Sequence, residues 1–482
     1  MKRKANPKSA GFWLILATAL SVLPASVWSA SVAIRGRQLL LNGAPFTMQG
    51  VAYSPTPVGA RVPTYIFWTD AATPFTTDFP LIKTMGGNTI RTFDATQASK
   101  AALDAASSNG IEVIMGIPVA FSDVQTSSGQ AAFIAKSTAV VSAWATHPAV
   151  LMWELGNEVT IGQVDPVMIG KWYSTLNQAA ATMKALEVSM TGTFHPVSTS
   201  NKDISNIGNA AVLADDAHMT SLDVWGATVY RGSTFVCPTS VFVQYSTSSA
   251  KPFYFSEFGS DAFNPSTNQE DQNMQSAVIR SQWVAIESNL SAVNSANVLI
   301  GGNVFEWSDE WWKSLFNTSD GVQDAPAGGD FLNPCYTVTQ QFEEWFGITS
   351  IRSGTTARGL RQAYYTLQSL WNPNGVAGNQ NGPLVATIQN FPNPFQAGAR
   401  ATRIRIQLNQ PATLTLGIFD MGGHKVIELS GPQDLGGNLM QYQWSGQTGG
   451  GGIVAAGLYI LRVEASISNR DEVSYHRIVA VK

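Results

Sequence analysis

Two stretches of the sequence bring an apolar run to an end on a glutamate. One reads His147-Pro-Ala-Val-Leu-Met-Trp-Glu-Leu-Gly-Asn-Glu158 and the other Lys251-Pro-Phe-Tyr-Phe-Ser-Glu257-Phe-Gly259. A carboxylate placed directly after a buried strand stands where the strand meets solvent, within reach of a ligand. Two such carboxyls suit cleavage of a sugar acetal. Retaining glycoside chemistry uses a pair about 5–5.5 Å apart, one as nucleophile and one as acid and then base. The nucleophile must be ionised, and a fixed cation nearby favours that form, which makes Arg91 a candidate partner for Glu257. The acid must keep its proton, which partial burial and a neighbouring negative charge would ensure for Glu158. Asn157 is expected to bind a sugar hydroxyl. Glu154 and Glu306 lie within strands and are read as structural ion-pair residues, and His195 as structural.

Aromatic residues supply the other half of a sugar site, because a flat ring stacks on the apolar face of a pyranose while an indole N–H bonds a hydroxyl. The run Val304-Phe-Glu-Trp-Ser-Asp-Glu-Trp-Trp312 closes another apolar stretch. Trp307 is expected at the mouth of the site, with Trp312, Trp311, Trp68 and Tyr65 lining outer subsites. The five histidines show no metal-ligand spacing, so neither metal nor cofactor is expected.

These residues need a scaffold that presents strand ends together. Candidate strands fall at 46–51, 88–93, 112–117, 150–155, 196–200, 224–230, 253–256 and 298–305, and helix-like stretches at 128–145, 166–186, 273–291 and 361–370 lie between or after them. Such alternation predicts an α/β fold, a (β/α)8 TIM barrel, with reactive groups at the carboxyl ends of its strands. Strands four and seven then face each other across the mouth. Residues 31–46 carry a hairpin signal at Asn42-Gly43 and are expected to plug the barrel floor. No Gly-x-Gly-x-x-Gly turn follows an early strand, which argues against an open dinucleotide-binding sheet. Asn, Gly and Pro crowd residues 372–383, a linker composition. Beyond it, Thr402-Arg-Ile-Arg-Ile-Gln-Leu408 and Ala412-Thr-Leu-Thr-Leu-Gly-Ile-Phe419 alternate with period two, predicting a small all-β sandwich over 384–482. The barrel domain is thereby assigned to 31–371.

Asn157-Glu158 and Ser256-Glu-Phe-Gly259 resemble the signature of clan A glycoside hydrolases. That resemblance implies Glu158 as acid/base and Glu257 as nucleophile. Leu41-Asn-Gly-Ala-Pro-Phe-Thr-Met-Gln-Gly-Val-Ala-Tyr53 and His147–Glu158 look like the family 2 catalytic barrel. Asn88-Thr-Ile-Arg91 and Ser-Glu-Phe-Gly are similar to the family 72 β-1,3-glucanosyltransferases, and imply that Arg91 binds the nucleophile. Two features depart from family 2: only a short segment precedes the barrel, and Trp225-Gly-Ala-Thr-Val-Tyr230 has Thr228 where relatives often carry Asn. Tyr230 is still expected to hydrogen-bond the nucleophile. The closer branch is the glucanosyltransferase-like one, implying a retaining hydrolase or transglycosidase on β-linked glucan. A family 5 β-mannanase-like endo-hydrolase and a non-catalytic carbohydrate-binding barrel are the rival expectations. In the tail, Phe391-Pro-Asn-Pro-Phe395, Trp444-Ser-Gly446 and Ala456-Gly-Leu-Tyr459 resemble Ig-like modules of flagellar hook-capping proteins and secretion tails. They imply surface attachment or export rather than catalysis.

Composition agrees with an exported chain. Only 13% of the 482 residues are charged and the net charge is −4, so no nucleic acid or acidic membrane partner is expected. Lys2, Arg3, Lys4 and Lys8 precede the apolar stretch Gly11–Leu23, followed by Pro24 and small residues. That pattern predicts a signal peptide over 1–30, hence a secreted or cell-surface protein with an oligo- or polysaccharide partner and no membrane span in the mature chain. Cys237 and Cys335 are the only cysteines. They are compatible with a loop-tying disulfide and equally with two separate thiols.

Overall fold

The computed structural model describes residues 31–62, 64–313, 323, 329–351, 358–372, 384–408, 412–434, 439–467 and 470–482. The expected signal peptide, and residues 373–383 of the expected linker, lie outside these. Eight parallel strands close into a barrel in chain order: β1 (Met48–Ala52), β2 (Thr89–Arg91), β3 (Glu112–Ile117), β4 (Val150–Asn157), β5 (Val197–Lys202), β6 (Val224–Thr228), β7 (Phe253–Phe258) and β8 (Leu299–Val304). Every one overlaps a candidate strand of the sequence. Their near-continuous burial explains why the runs lack period-two alternation, since both faces of a barrel strand are covered.

Among the described residues seven α-helices surround or follow the strands: α1 (Phe75–Met85), α2 (Lys100–Ser108), α3 (Ser127–Trp144), α4 (Pro166–Thr191), α5 (Val241–Ser248), α6 (Gln272–Glu287) and α7 (Gln362–Trp371). The ends follow local chemistry. At α4, Asp165 Oδ1 accepts from the backbone N–H of Val167 at 2.9 Å, and Pro166 occupies the first turn, where no N–H is needed. The helix continues past the expected Leu186 and stops at Gly192, whose φ of 80° suits glycine. Leu103, Phe133, Leu176, Ile279, Trp283 and Leu367 pack inward onto the strands' outer faces.

The floor is plugged as expected. Val32–Arg35 pairs with Gln38–Leu41, which pairs with Ala44–Pro45 across the two-residue turn Asn42-Gly43. Both turn residues have positive φ, 52° and 81°, which suits the Asn-Gly pair. Val32 and Leu39 pack with Met48, Ile114, Met152, Val224, Tyr254 and Ile300 inside the barrel.

In the tail, two sheets share one core. One has Val385–Phe391, Thr402–Leu408, Leu439–Trp444 and Gln433–Asp434, and the other is built mainly on Thr413–Phe419, Gly457–Ile467 and Arg470–Val481. Ile404, Ile406, Leu416, Ile418, Leu461, Val463 and Trp444 fill the space between them, as the alternation requires. Among the described residues no helix is long and apolar enough to cross a membrane.

Candidate active site

The carboxyl ends of the barrel strands meet at a cavity of about 720 Å³. Asn157, Glu158, Tyr230, Glu257 and Trp312 line it, together with Lys202, Asp203, Thr228, Phe305, Glu310, Lys313 and Phe346. Two irregularities aim the glutamates. The register between β4 and β5 slips between Glu154 and Asn157, and that between β6 and β7 slips between Phe255 and Glu257. Bulges of this kind redirect side chains and occur next to active sites. At the end of β4, Gly156 has φ 71° and no room for a side chain, since a Cβ would lie 2.4 Å from Val159 Cγ2. Glu158 itself has φ 47°, a conformation costing a non-glycine residue roughly 1–3 kcal/mol and found at sites the surroundings over-determine. Its N–H donates to Ser200 O at 2.8 Å, which holds that turn.

Arg91, at the end of β2, is the hub. Its guanidinium is fully buried and donates to Glu257 Oε1 at 2.8 Å, to Asn157 Oδ1 at 2.7 Å and to both oxygens of Glu154 at 2.7–3.0 Å. Burial works against its charge, but Glu154 and Glu257 outweigh this and raise its pKa, so the cation is permanent. Tyr254 donates to the far oxygen of Glu154, making that residue the structural partner expected of it. Phe93 lies under the guanidinium, 4.6 Å from its ring centroid.

Glu257 is gripped on both oxygens. Arg91 holds Oε1, and Tyr230 Oη donates to Oε2 at 3.0 Å. Burial first, and the charge of Glu257 second, push the Tyr230 phenol well above its ordinary range, so it remains a donor. Both oxygens therefore accept from fixed donors, which suits an ionised carboxylate.

Glu158 sits in the opposite electrostatic setting. Burial first, then the charge of Glu257, raise its pKa, while Thr228, Lys202 and Arg91 pull it down. The Thr228 hydroxyl donates to Glu158 Oε1. Thr228, which departs from the usual Asn, is thus the hydrogen-bond partner of this carboxyl. Ser200 Oγ donates to Asn157 Oδ1 at 3.1 Å and pairs with Ser256 Oγ at 2.7 Å, tying β4, β5 and β7 together beneath the pair.

The aromatic expectations divide. Trp312 lines the cavity. Trp307 does not: it is 0% exposed, packs in the core and meets Tyr364 edge-on at 6.3 Å. Phe305, two residues earlier, lines the cavity instead. Trp68 also belongs to the core at 4% exposure, stacked on Phe67 at 4.4 Å with its N–H donating to Asp94 O at 2.8 Å. A buried indole with its N–H satisfied and a face stacked on Phe67 has no face for a sugar. Tyr65 donates to Asp70 at 2.6 Å, and Tyr65 and Trp311 are likewise absent from the lining.

Glu306 differs from its expectation too. It is 0% exposed and has no ion-pair partner among the described residues, with Glu310, Lys313, Asp309 and Glu257 around it. His195 is buried on Glu187, as a structural residue. Cys237 and Cys335 form a disulfide with Cα atoms 5.5 Å apart. It anchors the segment carrying Asn333, whose Nδ2 donates to Tyr230 O at 2.8 Å. Among the described residues no group of His, Cys, Asp and Glu could hold a metal ion.

No curated protein matches the sequence. Solved structures share its fold at low identity. β-Glucuronidase 2 of Bacteroides uniformis is 14% identical over 94% of this chain and 48% of its own, with a TM-score of 0.58. The Parabacteroides merdae β-glucuronidase is 15% identical over 94% and 50%, with a TM-score of 0.56. This chain spans about half the length of those proteins, and at such identity the likeness is one of fold. The profile of the glycoside hydrolase 72 family, described as glucanosyltransferase, matches residues 23–313, more than half of the chain. Family profile, closed barrel and the paired glutamates at its mouth agree, and the chain belongs to the family 72 glucanosyltransferases.

Proposed function

We propose that the protein is a retaining β-glycoside transglycosidase or hydrolase acting on β-linked glucan. The observation that carries this reading is the contrast between two carboxyls at one cavity. Glu257 has donors on both oxygens, while burial and the charge of Glu257 favour the protonated form of Glu158. In the first step Glu257 attacks the anomeric carbon and Glu158 gives its proton to the departing glycosidic oxygen. The bond to the leaving sugar breaks as the glycosyl ester forms. Esterification removes the negative charge of Glu257, which lowers the pKa of Glu158 and keeps it ionised, ready to act as base in the next step. It then takes a proton from an incoming sugar hydroxyl or water, which displaces Glu257 from the anomeric carbon. Asn157, whose Oδ1 is occupied by Arg91 and Ser200, presents its amide N–H groups to a sugar hydroxyl.

The signal-like N-terminus and the disulfide support export, to the medium or the cell surface. The tail is proposed as an Ig-like attachment or secretion module. Product analysis on laminarin, mannan and cellulose oligomers tests the activity. Glu257→Ala and Glu158→Gln are each expected to lower turnover by several powers of ten with the melting temperature retained. Activity within tenfold of wild type in either variant would overturn the assignment, and inversion at the anomeric carbon, read by proton NMR of the first product, would overturn the mechanism.

A further inference from the structure

The cavity has two chemically different ends. Thr228 and Lys202 act on Glu158, while Glu310 and Lys313 act through space on Glu257. The wall at the Glu257 end comes from the segment just after β8. There Glu310 is only 4% exposed yet lines the cavity, and its Oε2 has no hydrogen-bond partner among the described residues. Lys313 Nζ lies 3.8 Å from that oxygen, beyond hydrogen-bond reach. Trp312 lines the same wall, and its buried Nε1 is also without a partner among the described residues. Lys313 is half-exposed and held 3.3 Å from Glu343 Oε2. A buried acceptor, a buried indole donor and an ammonium therefore stand together, with the first two unsatisfied. Leaving such groups unpaired is costly, and a water or a ligand hydroxyl relieves the cost.

We propose that Glu310, Trp312 and Lys313 form the donor-side sugar subsite, binding vicinal hydroxyls of the glycone. The inference rests on the glycosidase reading above and adds a direction to it. A vicinal diol offers donors and acceptors a few ångströms apart, which matches a carboxyl beside an N–H and an ammonium. Polarity follows from the roles of the glutamates. The acid/base must reach the oxygen between donor and leaving sugar, so leaving group and acceptor lie on the side of Glu158, Lys202 and Thr228. The rest of the donor must extend the other way, toward Glu310. Trp312, expected from the sequence to serve an outer acceptor subsite, is placed here on the donor side. Burial pushes the Glu310 carboxyl up to about 8, with help from Glu343 and Glu257 and against the pull of Lys313 and of a hydrogen bond with the neighbouring Glu306 carboxyl. A carboxyl pushed toward its protonated form can donate to a hydroxyl oxygen as well as accept.

Initial rates and products measured over a range of laminari-oligosaccharide concentrations test this, with melting temperature as the folding control. Glu310→Ala is expected to raise the donor KM by about tenfold, the worth of one good hydrogen bond, and to leave the ratio of transfer to hydrolysis within twofold. Glu310→Gln mimics the neutral carboxyl and should keep the wild-type KM at pH 6.5. It should also flatten the rise in KM expected of wild type as alkaline pH removes the Glu310 proton. An unchanged donor KM in Glu310→Ala would overturn the proposal. So would a shift toward hydrolysis at constant KM, which would place the wall on the acceptor side. Manno- and cello-oligosaccharides run in parallel separate the two readings. If wild type consumes one of these instead, the glucan reading fails and the Glu310 comparison is made on that sugar. If it neither consumes nor binds any of the three, both fail.

Discussion

Replacing Arg91 with Met tests the hub on which the site is built. The substitution keeps much of the side-chain volume and removes a fully buried guanidinium that serves two carboxylates, Glu154 and Glu257, and the Asn157 carbonyl. Removing one partner of a buried ion pair costs about 3–5 kcal/mol, because the other charge is stranded. Here one cation answers two carboxylates, so the loss should fall near the upper figure. Partial relief comes from Tyr254 and Tyr230, which keep their hydrogen bonds to Glu154 and Glu257. For a domain of this size about 4–5 kcal/mol lowers the melting temperature on the order of 10 °C. Turnover should fall by roughly 10²–10³, as for loss of one preorganised electrostatic contact at a reacting group. Arg91→Lys should fall between, since an ammonium cannot reproduce the fork that reaches Glu154, Glu257 and Asn157 at once. Thermal and guanidinium unfolding at pH 5 and pH 8, paired with initial rates, measure both effects. A melting temperature within 2 °C of wild type for Arg91→Met at pH 8 would refute the reasoning, because Arg91 would then carry none of the charge balance assigned to it.

Two further outcomes follow from the same geometry. Thr228→Val removes a hydrogen bond that lowers the pKa of Glu158, so the alkaline limb of kcat/KM should move to higher pH, with Thr228→Ser restoring it; an unmoved limb would remove Thr228 from control of the acid/base. Cys237→Ser with Cys335→Ser opens a link between residues 98 apart, worth up to about 4.7 kcal/mol for a loop near 100 residues, so the melting temperature should drop and wild type should become sensitive to reductant; a melting curve unaffected by reductant would argue against the bond.

The barrel was legible because its strands are buried on both faces, so most of them announce themselves as largely apolar runs closed by polar residues, with β5, Val-Ser-Thr-Ser-Asn-Lys, the clearest exception. The two glutamates were legible for the same reason: each is the first carboxylate after such a run with Gly or Asn beside it. Side-chain direction past the strand ends was not. Trp307 and Phe305 are two residues apart just after β8, and in a regular strand they would share a face. The chain leaves the strand at Val304, so parity no longer applies, and Phe305 meets the cavity while Trp307 turns into the core. Trp68 misled for a related reason, since its position in a loop after β1 says nothing about whether the loop folds it into the core. Glu310 and Lys202 were not singled out in the sequence, where Glu310 stands inside the aromatic run ending at Trp312 and Lys202 beside Asp203 at the end of β5. Their meaning comes from what lies across the cavity, and only the closed barrel brings Glu310 toward Glu257 and Lys202 toward Glu158. Thr228 was visible as a departure from the relatives, and the departure was informative: a hydroxyl there can still donate to the acid/base. A substitution that looks like a lost family residue thus keeps a donor at the place where the mechanism needs one.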